Sequence, residues 1–530
     1  MTADAQGYLA LVLHTHLPFI RHPEHPEFLE ERWLFEAITE TYLPLLERFE
    51  RLCADQVPFR ITMSFTPTLL AMLGDPLLQS RYVRHLDQLI ELSEKEVQRT
   101  QWMAPFHRMA LFYHHRFTSA RRAFVDTYRH KLVEAFRQLL DRGVIEGLAC
   151  GATHGYLPLM DMHPPAVRAQ IAIGVQAFEQ AFGRRPAGFW LPECGYHPGH
   201  DAFLKESGVR YFLTDAHGLL FGSPRPKYGV FAPVLCPSGV AAFGRDLESS
   251  KSVWSAKEGY PGDYDYREFY RDIGHDLEYE YVRPYLNGDG RRLNTGIKYY
   301  RITGPGDDKQ PYDPDRAMDK AAQHAGHFLA SRQQQASSLR GVMDRAPLIV
   351  SPYDAELFGH WWFEGPEWLE FLIRKVHFDQ RELRLITPLE YFERYPTNQV
   401  IQPSMSSWGH GGYNDVWLNG ANDWIYPHLH MMAKRMTEAA TAHRRADPLR
   451  TRVLNQMARE LCLAQSSDWA FILKTQTHTA YAYRRIHEHA ARFTGLYEGL
   501  QQQRIDEAWL ANLEATDNLF PFMDYRVYAA

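Results

Sequence analysis

Glu193 and Asp354 are the residues whose surroundings could support bond-breaking chemistry. Each follows an apolar run and a proline, in Gly188-Phe189-Trp190-Leu191-Pro192-Glu193 and in Leu348-Ile349-Val350-Ser351-Pro352-Tyr353-Asp354, and aromatic residues follow both. Two acids on strand tips, walled by rings, suit glycosidic-bond cleavage, where one carboxyl group protonates the leaving oxygen and the other attacks or activates water. Pro192 and Gly195 force a sharp exit around Glu193, between Trp190 and Tyr196. Its alternative role is to cap a helix starting near His200. Asp354 shares its segment with Glu356, and His360 and Trp361-Trp362 follow. The spacing does not choose between the two acids. Two like charges so close raise one pKa, which suits a general acid.

Further polar residues cluster around similar breaks. His14 and His16 stand at i and i+2, which on a strand puts both rings on one face. Such a pair can begin a metal site or hydrogen-bond sugar hydroxyls. No companion cluster with readable ligand spacing accompanies it, so neither a metal nor another cofactor is expected. His154, in Gly151-Ala152-Thr153-His154-Gly155, closes another strand, where a structural role is the simpler reading. Trp408 and Trp417 lie nine residues apart in a Gly-rich loop and suggest stacking platforms for sugar rings. Asp468, in Ser466-Ser467-Asp468-Trp469, repeats the pairing of acid and ring, or belongs to a helix N-cap.

These residues need a scaffold of strand tips. Tyr8 to Leu13 is a near-continuous apolar run, as in a strand buried on both faces. Strand-like runs recur near 59–65, 144–152, 187–192, 210–214, 347–351 and 384–387, with the two prolines read as stops. Helical patterns separate most of them, which implies a parallel sheet, and functional residues at successive strand ends favour a barrel. Residues 77–142 read as a helical insertion. The Gly/Pro-rich excursions within 222–316 read as loops or a lid, with Ala242 to Asp246 the candidate lid. The expected division is a catalytic unit over 1–400 and a helical unit over 401–530 that contributes the Trp408 loop and Asp468 to the cleft.

Composition narrows the function classes. With 58 Lys+Arg against 64 Asp+Glu, the net charge of −6 offers no basic footprint for nucleic acid or anionic membranes. No apolar run approaches the length of a membrane span. Five scattered cysteines without CxxC spacing argue against a disulfide framework and favour the cytoplasm. The 12 Trp, 29 Tyr and 30 Phe supply ample ring surface for a carbohydrate.

Taken in order, five segments resemble the motifs of glycoside hydrolase family 57, and in particular its 1,4-α-glucan branching members. They are His14-Thr15-His16-Leu17-Pro18, Gly151 to Gly155, Trp190 to Tyr196, Tyr353 to Trp361, and Trp408 to Asn419. The resemblance implies an α/β fold: an incomplete (β/α)7 barrel with a helical insertion and a C-terminal all-helical domain. It implies an α-glucan substrate and a retaining double displacement, with Glu193 as nucleophile and Asp354 as general acid/base. Trp408 and Asp468 match glucan-binding positions of the family, and Arg271 and Gly288 look like its remaining sugar contacts. His14, His16, His154, Trp361 and Trp417 complete the expected substrate-binding set. A 4-α-glucanotransferase or α-amylase would use the same residues with a different acceptor. A more distant alternative is a metal-dependent carbohydrate hydrolase with His14 and His16 as ligands.

Overall fold

The computed structural model of the chain describes residues 5–255, 258–286 and 290–529. Among these residues nine strands form one sheet: β1 Gly7–Thr15, β2 Ile61–Phe65, β3 Ile145–Cys150, β4 Gly188–Trp190, β5 Tyr211–Thr214, β6 Val234–Leu235, β7 Ala241–Gly244, β8 Leu348–Asp354 and β9 Leu383–Leu385. Their order is β6-β7-β5-β4-β3-β2-β1-β8, with β9 added to β1. All pairings are parallel except that of β6 with β7. The sheet curls until Asp246 N–H, just past β7, donates to Val350 O of β8 at 2.8 Å. No ladder between β7 and β8 occurs among the described residues, which makes this an incomplete (β/α)7 barrel.

The period-two alternation of strand side chains decides what faces the barrel interior. Tyr8, Ala10 and Val12 of β1 pack there with Leu148 and Cys150, Tyr211 and Leu213, Ala241 and Phe243, and Leu348 and Val350. Leu9, Leu11 and Leu13 point outward into the larger core beneath the helices. Continuing the inward row places His14 at the tip of β1, Trp190 at the tip of β4 and Asp354 at the tip of β8. Register sets His14 beside both Ser64 of β2 and Asp354 of β8.

Two segments differ from what their sequence suggests. Pro352 does not stop its strand, because Pro352, Tyr353 and Asp354 continue in register with Val12, Leu13 and His14. Among the described residues only β1 pairs with β8, so the N–H that proline lacks is not needed on the other edge. Ala242 to Asp246 is not a lid: Ala242, Phe243 and Gly244 belong to β7 and are buried. Its short length and small residues hid an interior strand among loop-like neighbours.

The insertion forms the helices Pro76–Arg99, Ala104–Arg122 and Leu132–Asp141. Asp75 caps the first, its carboxylate accepting from Leu77 N (2.9 Å) and Leu78 N (3.1 Å). The later excursion docks against this insertion through Tyr299 OH, which donates to Glu96 at 2.7 Å, and Tyr113 OH, which donates to Lys298 O at 2.9 Å. The last quarter of the chain is helical, with Ile425–Ala442, Pro448–Ala464, Ser467–Thr475, Thr479–Gln501 and Glu507–Thr516. No helix among the described residues is long and apolar enough to cross a membrane.

Candidate active site

Glu193 sits in a tight turn after β4 with φ 60° and ψ 23°, and Cys194 follows at φ 50°. A non-glycine residue in the left-handed region costs about 1–2 kcal/mol, so the turn needs outside support. Cys194 N–H donates to Leu191 O and Gly195 N–H to Pro192 O, both at 2.9 Å, and Trp408 N–H donates to Glu193 O at 3.0 Å. The strained backbone aims the carboxylate into the cleft. Its Oε2 accepts from Trp408 Nε1–H and its Oε1 from Ser467 Oγ–H, each at 2.9 Å.

Asp354 is placed differently. Its carboxyl has no hydrogen-bond partner among the described residues. Burial, then the nearby Glu356 and Glu193, push it well above the ordinary aspartate range. Burial also raises Glu193, but the hydrogen bonds from Trp408 and Ser467 oppose that shift. Glu356, the other acid of this segment, is occupied. It accepts from Tyr42 OH (2.5 Å) and from His16 N–H (3.2 Å), so it braces the tips of β1 and β8. Of the two acids in this segment, only Asp354 has a carboxyl free of hydrogen bonds among the described residues.

The three histidines come together. His14 stacks on Trp190 at 4.5 Å, and His16 stacks on His154 at 3.8 Å. His14 Nδ1 lies 2.5 Å from Ser64 Oγ, and His14 Nε2 lies 2.9 Å from His154 Nε2. His154 Nδ1 lies 2.9 Å from Ser467 Oγ. Burial and then the neighbouring His16 hold His14 well below the usual histidine range, and His154 is lowered by the same causes, so both are neutral. That fixes the tautomers. An ionised Glu193 takes the Ser467 proton, Ser467 accepts from His154 Nδ1–H, His154 Nε2 accepts from His14 Nε2–H, and His14 Nδ1 accepts from Ser64. Every donor in the row points toward Glu193.

His16 is the exception. Burial would lower it, yet Asp468 outweighs that and raises it, with Nε2 3.0 Å from both carboxylate oxygens. Asp468 is therefore not the N-cap, a position that Ser466 holds without a side-chain capping bond. His16, His154 and Asp468 bring potential ligand atoms within 4.8 Å of one another, a companion cluster that spacing could not reveal. Their ring nitrogens are already committed: His16 to Asp468 and Thr66, His154 to His14 and Ser467.

The tryptophans divide. Trp408 touches Glu193, and Arg245 lies 5.9 Å from its ring. Trp361 is 55% exposed and stacks on Phe269 at 4.5 Å, which gives it a rigid outer face. Trp417 is only 1% exposed and stacks on Tyr156 at 4.3 Å, so it is not an exposed platform. The Gly-rich loop folds over it, and a Cβ at Gly409 would come within 2.7 Å of its ring. Arg271 is tied within the excursion, to Asp276 (3.0 Å), to Asp307 O (3.2 Å) and over the Tyr300 ring (4.6 Å), with none of these contacts reaching the two acids. Gly288 lies outside the described residues. Sequence reasoning missed Ser467, Ser64 and Tyr42; only the adjacency of Ser467 to Asp468 pointed to any of them.

Comparison with known proteins places the fold and the family. The profile described as glycosyl hydrolase family 57 matches residues 10–404, and that described as the C-terminal region of 1,4-alpha-glucan branching enzyme matches residues 428–528. A 1,4-alpha-glucan branching enzyme of Thermococcus kodakarensis is 34% identical over 97% of this chain and 77% of its own length. The crystal structure of the alpha-amylase AmyC from Thermotoga maritima is 47% identical, with a TM-score of 0.93 and 99% of each chain covered. That of a GH57-type branching enzyme from Pyrococcus horikoshii is 32% identical, with a TM-score of 0.88 over 99% of this chain and 97% of the other. The chain belongs to glycosyl hydrolase family 57.

Proposed function

We propose that the protein is a 1,4-α-glucan branching enzyme working by retaining double displacement. The observation that carries the chemistry is the contrast between two carboxyl groups, one oriented by two donors and one buried without any. Glu193 attacks the anomeric carbon of an α-1,4-linked glucosyl unit, while Asp354 gives its proton to the departing oxygen. The remaining chain stays on Glu193 as a covalent glycosyl ester. Asp354, now ionised, takes the proton of a 6-hydroxyl on another glucan chain. That oxygen displaces Glu193 and forms an α-1,6 linkage with net retention.

The charged pair His16–Asp468 and the Trp408 ring serve as contacts for the donor chain, with His14 and His154 behind them. Trp361 serves as an outer stacking surface. Arg271 and Gly288 are proposed sugar contacts along the excursion. The helical segment beyond residue 400 forms part of the cleft by supplying Trp408, Ser467 and Asp468. Five free cysteines, four of them buried, suit a reducing cytoplasm.

An α-amylase reading is favoured by the name of the 47%-identical relative. It differs only in that water accepts the glucosyl unit. Incubation with amylose separates the readings: new α-1,6 anomeric signals by NMR support branching. Changed chain lengths without such signals mean disproportionation, and reducing ends in proportion to cleavage mean hydrolysis.

A further inference from the structure

Outside the cleft, Asp161, His197 and His200 bring potential ligand atoms within 4.8 Å of one another. His200 Nε2 lies 3.1 Å from Asp161 Oδ1, and His197 Nδ1 lies 3.6 Å from Asp161 Oδ2. Ligand atoms around a tetrahedral zinc at about 2.0–2.2 Å stand roughly 3.3–3.5 Å apart; each histidine lies near that distance from one of the two Asp161 oxygens. We propose that Asp161, His197 and His200 form a divalent transition-metal site of the zinc type, which clips the loop after Glu193 to the loop after His154.

The chemistry of the donor set suits that ion. Two imidazoles and one carboxylate are borderline ligands that favour zinc over calcium or magnesium. His200 is fully buried with Nε2 facing Asp161, so its ring is held in place toward the site. His200 Nε2 is hydrogen-bonded only to Asp161, a member of the cluster, and neither His197 Nδ1 nor the far nitrogen of His200 has a hydrogen-bond partner. His197 and Asp161 are each more than a third exposed, which leaves an open side for entry and for a water as fourth ligand.

The other clusters lack these properties. In the cleft, the His16 and His154 nitrogens are spent on hydrogen bonds. At Glu460, His489 and Asp517 the carboxylate of Asp517 already faces Arg485 and Arg492. The proposed ion would hold two turns whose strained residues, Glu193 at φ 60° and His154 at φ 57°, sit four and seven positions from its ligands. Sequence spacing could not show it, because Asp161 and His197 belong to different strand ends.

The test uses the full-length protein, stripped of metal with a chelator and titrated with Co(II). One equivalent should bind with the visible absorption of four-coordinate cobalt and without a thiolate charge-transfer band. Asp161→Asn and His197→Ala should each weaken binding by at least about 100-fold, whereas Asp468→Asn should leave it unchanged. Zn(II) should displace the cobalt and raise the melting temperature of the unsubstituted protein but not of Asp161→Asn. Because His197 is partly exposed, His197→Ala should fold normally, with an unchanged far-ultraviolet CD spectrum. No saturable binding, binding that survives both substitutions, or binding lost in Asp468→Asn would each overturn the proposal.

Discussion

Ser467 Oγ donates to Glu193 Oε1 at 2.9 Å across 274 positions of sequence. The same hydroxyl accepts from His154, so the direction of the whole row from Ser64 to Glu193 depends on the charge of Glu193. Ser467→Ala removes one donor from the carboxylate and orphans a buried N–H. The remaining burial then raises Glu193 further. The acid limb of the pH profile of kcat/KM should move to higher pH, and kcat should fall by about 10- to 100-fold. Ser467→Thr keeps the hydroxyl and should recover most of the loss, which a purely structural defect would not do.

Trp408→Phe makes a parallel change on the other oxygen, Oε2. It keeps most of the ring but loses Nε1–H. The acid limb should shift in the same direction, with kcat affected more than KM. A change confined to KM would assign Trp408 to sugar stacking alone.

Asp354→Asn should abolish transfer while making the protein more stable. The folded pKa of Asp354 is raised, so the native state resists ionising it. Stability from this group is full below the ordinary carboxylate pKa of about 4 and is lost as pH rises through the folded value. The asparagine variant carries no such penalty. Its melting temperature should match the unsubstituted protein near pH 4 and exceed it at neutral pH. Equal melting temperatures at both would mean that the carboxyl is not strained by burial.

Asp468→Asn should instead destabilise, with the loss concentrated at low pH. His16 is raised in the folded state by Asp468, so the pair stabilises below the ordinary histidine pKa of about 6.5 and loses that contribution as pH rises through the folded value. The variant should be destabilised more near pH 6 than near pH 9. Urea unfolding at the two pH values reads the difference directly.

The two remaining tryptophans should separate stability from binding. Trp417→Ala empties a buried site and should cost about 3–5 kcal/mol. Trp361→Ala should change stability by less than about 0.5 kcal/mol and raise KM for amylose by roughly three- to tenfold. Thermal melts and initial rates on the same preparations check both.

Much of the scaffold was legible because buried parallel strands leave apolar runs. β1, β5 and β8 announced themselves, and the helices of the insertion and of the C-terminal part showed their period. β6 and β7 did not: two and four residues long, they lie among glycines and prolines that read as loop. In the site, acids beside prolines and rings stood out, as did the His14/His16 pair. Ser64, Ser467 and Tyr42 were invisible because a hydroxyl gains its role only from a partner brought near by folding. Trp417 misled for the converse reason, since a glycine-rich loop can bury a ring by wrapping around it.

The division of labour between Glu193 and Asp354 is tested most directly by trapping the glycosyl–enzyme. A fluorinated α-glycosyl fluoride, which slows the second displacement, should leave one equivalent of sugar attached. Peptide mass spectrometry should place it on Glu193, and Asp354→Asn should still be labelled because fluoride departs without a proton donor. A label on Asp354 or Glu356, or turnover to the inverted anomer with no label, would contradict the account.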